Sequence, residues 1–134
     1  MISTTDNQKI KFRLYFDHAA VTSAAFLDTL PFSRIFYHAQ VSGKEIWIAD
    51  GPVLDISQEN ASVFAEPGEI VIGPALPARN KIAGFMGIFY GEGKLIDSAN
   101  IFGKVLDEDL PLLKSLGERI WRHGAMELNF EKYT

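Results

Sequence analysis

His38–Asp50 reads HAQVSGKEIWIAD, and this stretch decides the fold. Arg34 to Val41 and Glu45 to Ala49 are rich in β-formers and flank the short loop Ser42-Gly43-Lys44, so the two runs predict a β-hairpin. Strand alternation puts Glu45 and Trp47 on one face and Ile46 and Ile48 on the other. The isoleucine face suits a core, which leaves the Trp47 face as the better pocket wall. Whether His38 shares that face depends on the residue count through the turn, because one extra residue flips every later side chain.

Working outward, Lys9 to Phe16 alternates, with Ile10, Phe12, Leu14 and Phe16 opposite Lys9, Lys11, Arg13 and Tyr15, the period of a half-buried strand. From Thr22 the apolar residues Ala24, Ala25, Phe26, Leu27 and Leu30 cluster at helical spacing, and Pro31 follows. Asp50 to Pro67 carries turn residues and little periodicity, which predicts a long connection over the surface. Glu69–Gly73, Ile82–Tyr90 and Ala99–Leu106 follow as strands, the second interrupted by Gly84 and Gly87. A helix opening at Asp107 and Asp109, with Gly117 as its C-cap, leads to a last strand at Met126–Phe130. The pattern predicts a mainly β, single-domain chain over residues 1–134. Its architecture is expected to be one closed antiparallel β-barrel with two short helices and a flexible tail at residues 1–8.

Composition narrows the function. Thirteen basic and seventeen acidic residues give a net charge of −4 without a long run of either sign, which argues against nucleic acid as a partner. The absence of cysteine removes thiolate chemistry and sulfur ligands. The polar start MISTTDNQKIK and the lack of an apolar run of about 18 residues predict a cytoplasmic chain without a membrane partner.

Several motifs stand out together: HA and SG ahead of Trp47, Glu59-Asn60 ahead of Pro67-Gly68-Glu69, Tyr90-Gly91, Asn100, and the closing helix followed by a strand. From Ile10 to Glu131 the chain resembles an uncharacterised bacterial domain-of-unknown-function family of the cyclophilin-like superfamily. The resemblance implies a cyclophilin-like barrel and names no reaction. It departs from the family pattern at Val41, Lys44 and the segment PARNKIAGFMG. True cyclophilins set a cationic Arg against the prolyl amide nitrogen, where a twisting peptide bond localises a lone pair. Here Ala39 stands at that place, which argues against peptidyl-prolyl isomerase activity.

The candidate site residues follow from chemistry. His38 is the candidate catalytic, proton-handling group, since an imidazole titrates near pH 6.5; its plainer role is a strand-end histidine bonded to backbone. Trp47 offers a flat wall and Glu45 a carboxylate on the same face, against ordinary core packing for the indole. Glu59 and Asn60 in the long connection could anchor a polar ligand or cap a turn. Tyr90 and Asn100 are second-rank lining residues. Arg79, in the basic loop Arg79-Asn80-Lys81, could meet an anion or simply be solvated. No two histidines share a ligand spacing, and no nucleophile elbow or phosphate loop is present, so neither a metal nor a cofactor is implied. The leading expectation is a pocket beside the hairpin that binds or acts on a small polar metabolite. The competing class is a non-catalytic module for homo-oligomerisation or partner binding.

Overall fold

The computed structural model describes residues 8–77 and 81–133, with the backbone of 2–4. In chain order the strands and helices are β1 (Ile2–Thr4), β2 (Lys9–Ile10), β3 (Phe12–Leu14), α1 (Ala20–Leu27), β4 (Phe32–His38), β5 (Gly43–Ile48), β6 (Ala61–Phe64), β7 (Glu69–Ile72), β8 (Met86–Val105), α2 (Leu110–His123) and β9 (Met126–Phe130). All ladders are antiparallel, in the order β2-β1-β9-β4-β5-β8-β3, with β6 and β7 also paired to β8.

The fold is mainly β with two helices, but the sheet is an open half-barrel and not the closed barrel that the strand pattern predicts. Lys11 accounts for part of this. Its N–H donates to Oδ2 of Asp109 at 2.9 Å and its carbonyl accepts from Leu106 at 2.9 Å. That backbone is committed to the turn leading into α2, so the expected strand from Lys9 to Phe16 splits into β2, which pairs with β1, and β3, which pairs with β8. At the N-terminus, Ile2–Thr4 pairs with β9 where a free tail was expected.

Three other elements differ from the sequence reading. The expected strands Ile82–Tyr90 and Ala99–Leu106 become, from Met86 and up to Val105, the two arms of the single long strand β8, while Ile82 to Phe85 form a turn before it. β8 bends so that both arms pair with β7, and Ile70 stands opposite Ile88 on one side and Gly103 on the other. The surface connection contains β6. Gly117 lies inside α2, where a Cβ would fall 2.2 Å from Cδ1 of Tyr90, so the residue is small because a ring packs on the helix there. The helix ends at Gly124, whose φ of 91° suits glycine and whose N–H donates to Ile120 at 3.0 Å.

The sheet has two differently used faces. Ile46, Ile48, Ile70, Ile72 and Ile88 face the main core, where Leu113, Leu116 and Ile120 of α2 cover them at i, i+3 and i+7. Each such side chain contributes about 1.5–3 kcal/mol through burial, which makes this face the main source of stability. Val71, Phe89 and Ile101 point the other way, into a smaller cluster with Ile82 and Ala99. This second face carries the site.

Candidate ligand-binding site

Strand register builds the site. Tyr37 pairs with Trp47, Trp47 with Gly87, Gly87 with Val71, and Val71 with Ile101, so these five residues form one cross-strand row on one face. In the middle of this row glycine supplies no side chain between Trp47 and Val71, which leaves a hollow. The adjoining pair on the same face is Glu45 with Phe89, and Phe89 is fully buried beneath. Leu95, Ile96 and Asp97, from the bend of β8, and Phe85, just before that strand, complete the walls. The resulting cavity is about 580 Å³, within the range of small-molecule sites.

Glu45 is the unusual group. It is only 5% exposed, in mostly apolar surroundings. Oε1 accepts from the Ser42 hydroxyl at 2.5 Å. Oε2 lies over Gly87, where a Cβ would stand 1.9 Å from it. Burial pushes the carboxyl pKa up to about 7, and the Ser42 hydrogen bond pulls in the opposite direction without cancelling the rise. Such a carboxyl changes charge near neutrality, so it can bind a cation when ionised or exchange a proton. Trp47 is half-buried, with its ring edge-to-face with Phe85 at 5.3 Å.

Trp47 and Glu45 are thus brought together, and His38 is turned away. His38 pairs with Ile46, so its side chain shares the face of the isoleucines. Although His38 borders the cavity, Nδ1 lies 2.7 Å from the Ala39 carbonyl, Nε2 lies 2.6 Å from the Tyr90 hydroxyl, and the ring packs on Trp121 of α2 at 4.6 Å. A carbonyl only accepts, so Nδ1 donates to it. In the tautomer with its proton on Nδ1, Nε2 accepts from the Tyr90 hydroxyl. Tyr90 packs with the main core, and its phenol pKa is raised by burial and by the nearby Glu118 charge.

Glu59, Asn60 and Asn100 form a separate network that fastens the long connection. Glu59 accepts from the N–H groups of Val21 at 3.2 Å and Thr22 at 2.8 Å, and from the Thr22 hydroxyl at 2.7 Å. It therefore serves the first turn of α1, whose own cap residue Ala19 has no side-chain acceptor. Its partial burial pushes the pKa up, but these three hydrogen bonds outweigh that and hold it below the usual carboxylate value. Asn100, fully buried, accepts from the Glu59 N–H at 3.0 Å and donates to the Ser57 carbonyl and the Thr22 hydroxyl. Asn60 donates to the Ile101 carbonyl at 2.8 Å. Arg79 lies outside the described residues.

Tyr37, Gly87, Val71 and Phe85 escaped the sequence reading. Tyr37 and Gly87 carried a signal: each stands directly across from Trp47 once the register is known. Among the described residues, no group of three or more His, Asp or Glu could hold a metal ion, and no helix is long and apolar enough to cross a membrane.

Comparison with known proteins places the fold. McbB, solved in complex with tryptophan, superposes with a TM-score of 0.69 at 19% identity, covering 99% of this chain and 45% of McbB. This chain therefore spans under half the length of McbB. The hypothetical protein AF2241 from Archaeoglobus fulgidus superposes with a TM-score of 0.60 at 16% identity, covering 98% of this chain and 92% of that one. At these identities the likeness is one of fold. No curated protein matches the sequence. A family model described as "Protein of unknown function (DUF3830)" matches residues 3–132, and the chain belongs to that family.

Proposed function

We propose that this protein binds a small metabolite in the cavity beside the β4–β5 hairpin, with Trp47 as its wall and Glu45 as its polar anchor. One observation carries the reading: a 580 Å³ cavity in which a buried carboxyl and an indole project from the same face of one strand. Most of the lining is apolar, with few polar groups to orient a ligand, the usual composition of a binding site. Any proton-handling role passes from His38 to Glu45, because both His38 ring nitrogens already have partners on the other face. Cytoplasmic placement and a cyclophilin-like superfamily assignment belong to the same proposal, the latter resting on the sequence resemblance.

A thermal-shift screen against a library of cytoplasmic metabolites tests this, since a ligand that binds only the native state raises the melting temperature. McbB was solved with tryptophan, so aromatic amino acids belong in the library. A hit that stabilises the wild type and loses its effect in Trp47→Ala supports the site. Hits that are equally effective in Trp47→Ala contradict it.

A further inference from the structure

The charges around the cavity say what kind of molecule fits. The carboxyl-bearing residues that line it are Glu45 and Asp97, and among the described residues neither lysine nor arginine does. Oε1 of Glu45 has the Ser42 hydroxyl, while no donor from the described residues reaches Oε2. A buried carboxylate without a matching cation is costly, and the cost is offset when a partner brings the opposite charge. Gly87 keeps open the volume that Oε2 occupies. Tyr37, Trp47 and Phe85 offer aromatic surface around this spot, which suits a flat or apolar body and also attracts a cation.

We infer that the ligand of this cavity carries a protonated nitrogen on an aromatic or apolar body, the nitrogen donating to Oε2 of Glu45 and the body lying against Trp47 and Tyr37. This deepens the proposed function and rests on it. An anionic ligand would meet two carboxyl groups and, among the described residues, no lysine or arginine to balance it. A neutral ligand would leave the charged form of Glu45 unpaired.

The surroundings set the pH response. Among the described residues, Asp97, Tyr37 and His38 are the other titratable groups that border the cavity. The His38 ring faces the opposite side, and the Lys44 chain lies over Gly91, one residue out of phase with Glu45. The ionisation of Glu45 therefore governs amine affinity, which rises from pH 6 to pH 8 as the carboxyl loses its proton.

Three probes that share one aromatic body separate the possibilities: 2-phenylethylamine, 2-phenylethanol and phenylacetate, each titrated into the full chain and followed through the Trp47 indole N–H resonance. The amine is expected to bind at least about tenfold more tightly than the other two at pH 8, as a charge-assisted hydrogen bond adds about 1.4 kcal/mol or more. Glu45→Gln should bring the three within about twofold, and Asp97→Asn should leave the amine preference in place. Should Glu45→Gln fail to fold, the rise in wild-type amine affinity between pH 6 and pH 8 carries the test. Equal binding of the three probes, or preference for phenylacetate, overturns the inference and leaves the binding site standing. If neither the probes nor the metabolite library perturb the cavity, the inference and the proposed function fall together.

Discussion

A methyl group on Gly87 would lie 1.9 Å from Oε2 of Glu45, so the glycine on β8 and the carboxyl on β5 occupy one shared space. Gly87→Ala must therefore expel the carboxyl or shift a strand. The expected result is a loss of about 1–3 kcal/mol of stability, as for other overpacked sites. Ligand affinity should fall with it. Chemical denaturation and a ligand titration on the same variant check both, and an alanine variant with wild-type stability and affinity would show that the two groups do not compete.

Stability should fall as the pH rises from about 5 to about 7. The folded state raises the Glu45 pKa from 4.5 to about 7 through burial, so in this range the native form holds more protons than the unfolded chain. The stabilising contribution is complete below the unfolded value and is lost as the pH passes through the folded one. Its full size is about 3 kcal/mol, from about 1.36 kcal/mol per pH unit of displacement. Glu45→Gln should flatten this part of the profile and be more stable than the wild type at pH 8. Urea denaturation across pH 4.5–8 reads the difference; parallel profiles for the two proteins would contradict it.

Glu59→Ala should cost about 1 kcal/mol or more, because the N–H groups of Val21 and Thr22 lose their acceptor at the start of α1. Affinity for a cavity ligand should not change, since Glu59 lies in a different network. A loss of affinity larger than the loss of stability would bring Glu59 into the site.

His38→Ala should destabilise the fold by about 1–3 kcal/mol, since it leaves the buried Tyr90 hydroxyl without its acceptor and opens space beside Trp121. Ligand affinity should stay within about twofold of the wild type. A variant of wild-type stability with no binding would return His38 to the functional site.

The sequence made the strands legible wherever one face is buried, because alternation records burial directly; the hairpin at Ser42-Gly43-Lys44 belongs here. Openness of the sheet was hidden, since the break at Lys11 depends on a hydrogen bond to Asp109, 98 residues away. In the site, the shared face of Glu45 and Trp47 follows from alternation within one strand. The face of His38 does not, because it depends on register across the turn. Glu59 and Asn60 looked like ligand anchors because loop carboxylates and amides serve turns, caps and ligands with the same atoms. Only their partners distinguish the roles. Gly87 reads as an interruption of a strand in sequence and becomes part of a cavity only when Trp47 and Val71 stand on either side of it.

The two tryptophans make the most direct test possible in one spectrum. Trp47 lines the cavity, and Trp121 lies on α2 against His38; they are the only tryptophans in the chain, so the indole N–H region of a proton–nitrogen correlation spectrum holds two signals. The measurement is a titration with the most stabilising metabolite from the library. A saturable shift of the Trp47 signal, absent in Trp47→Phe, is expected while the Trp121 signal stays in place. A saturable shift of Trp121 with Trp47 unmoved would contradict the account and move the binding site to the helix side of the sheet.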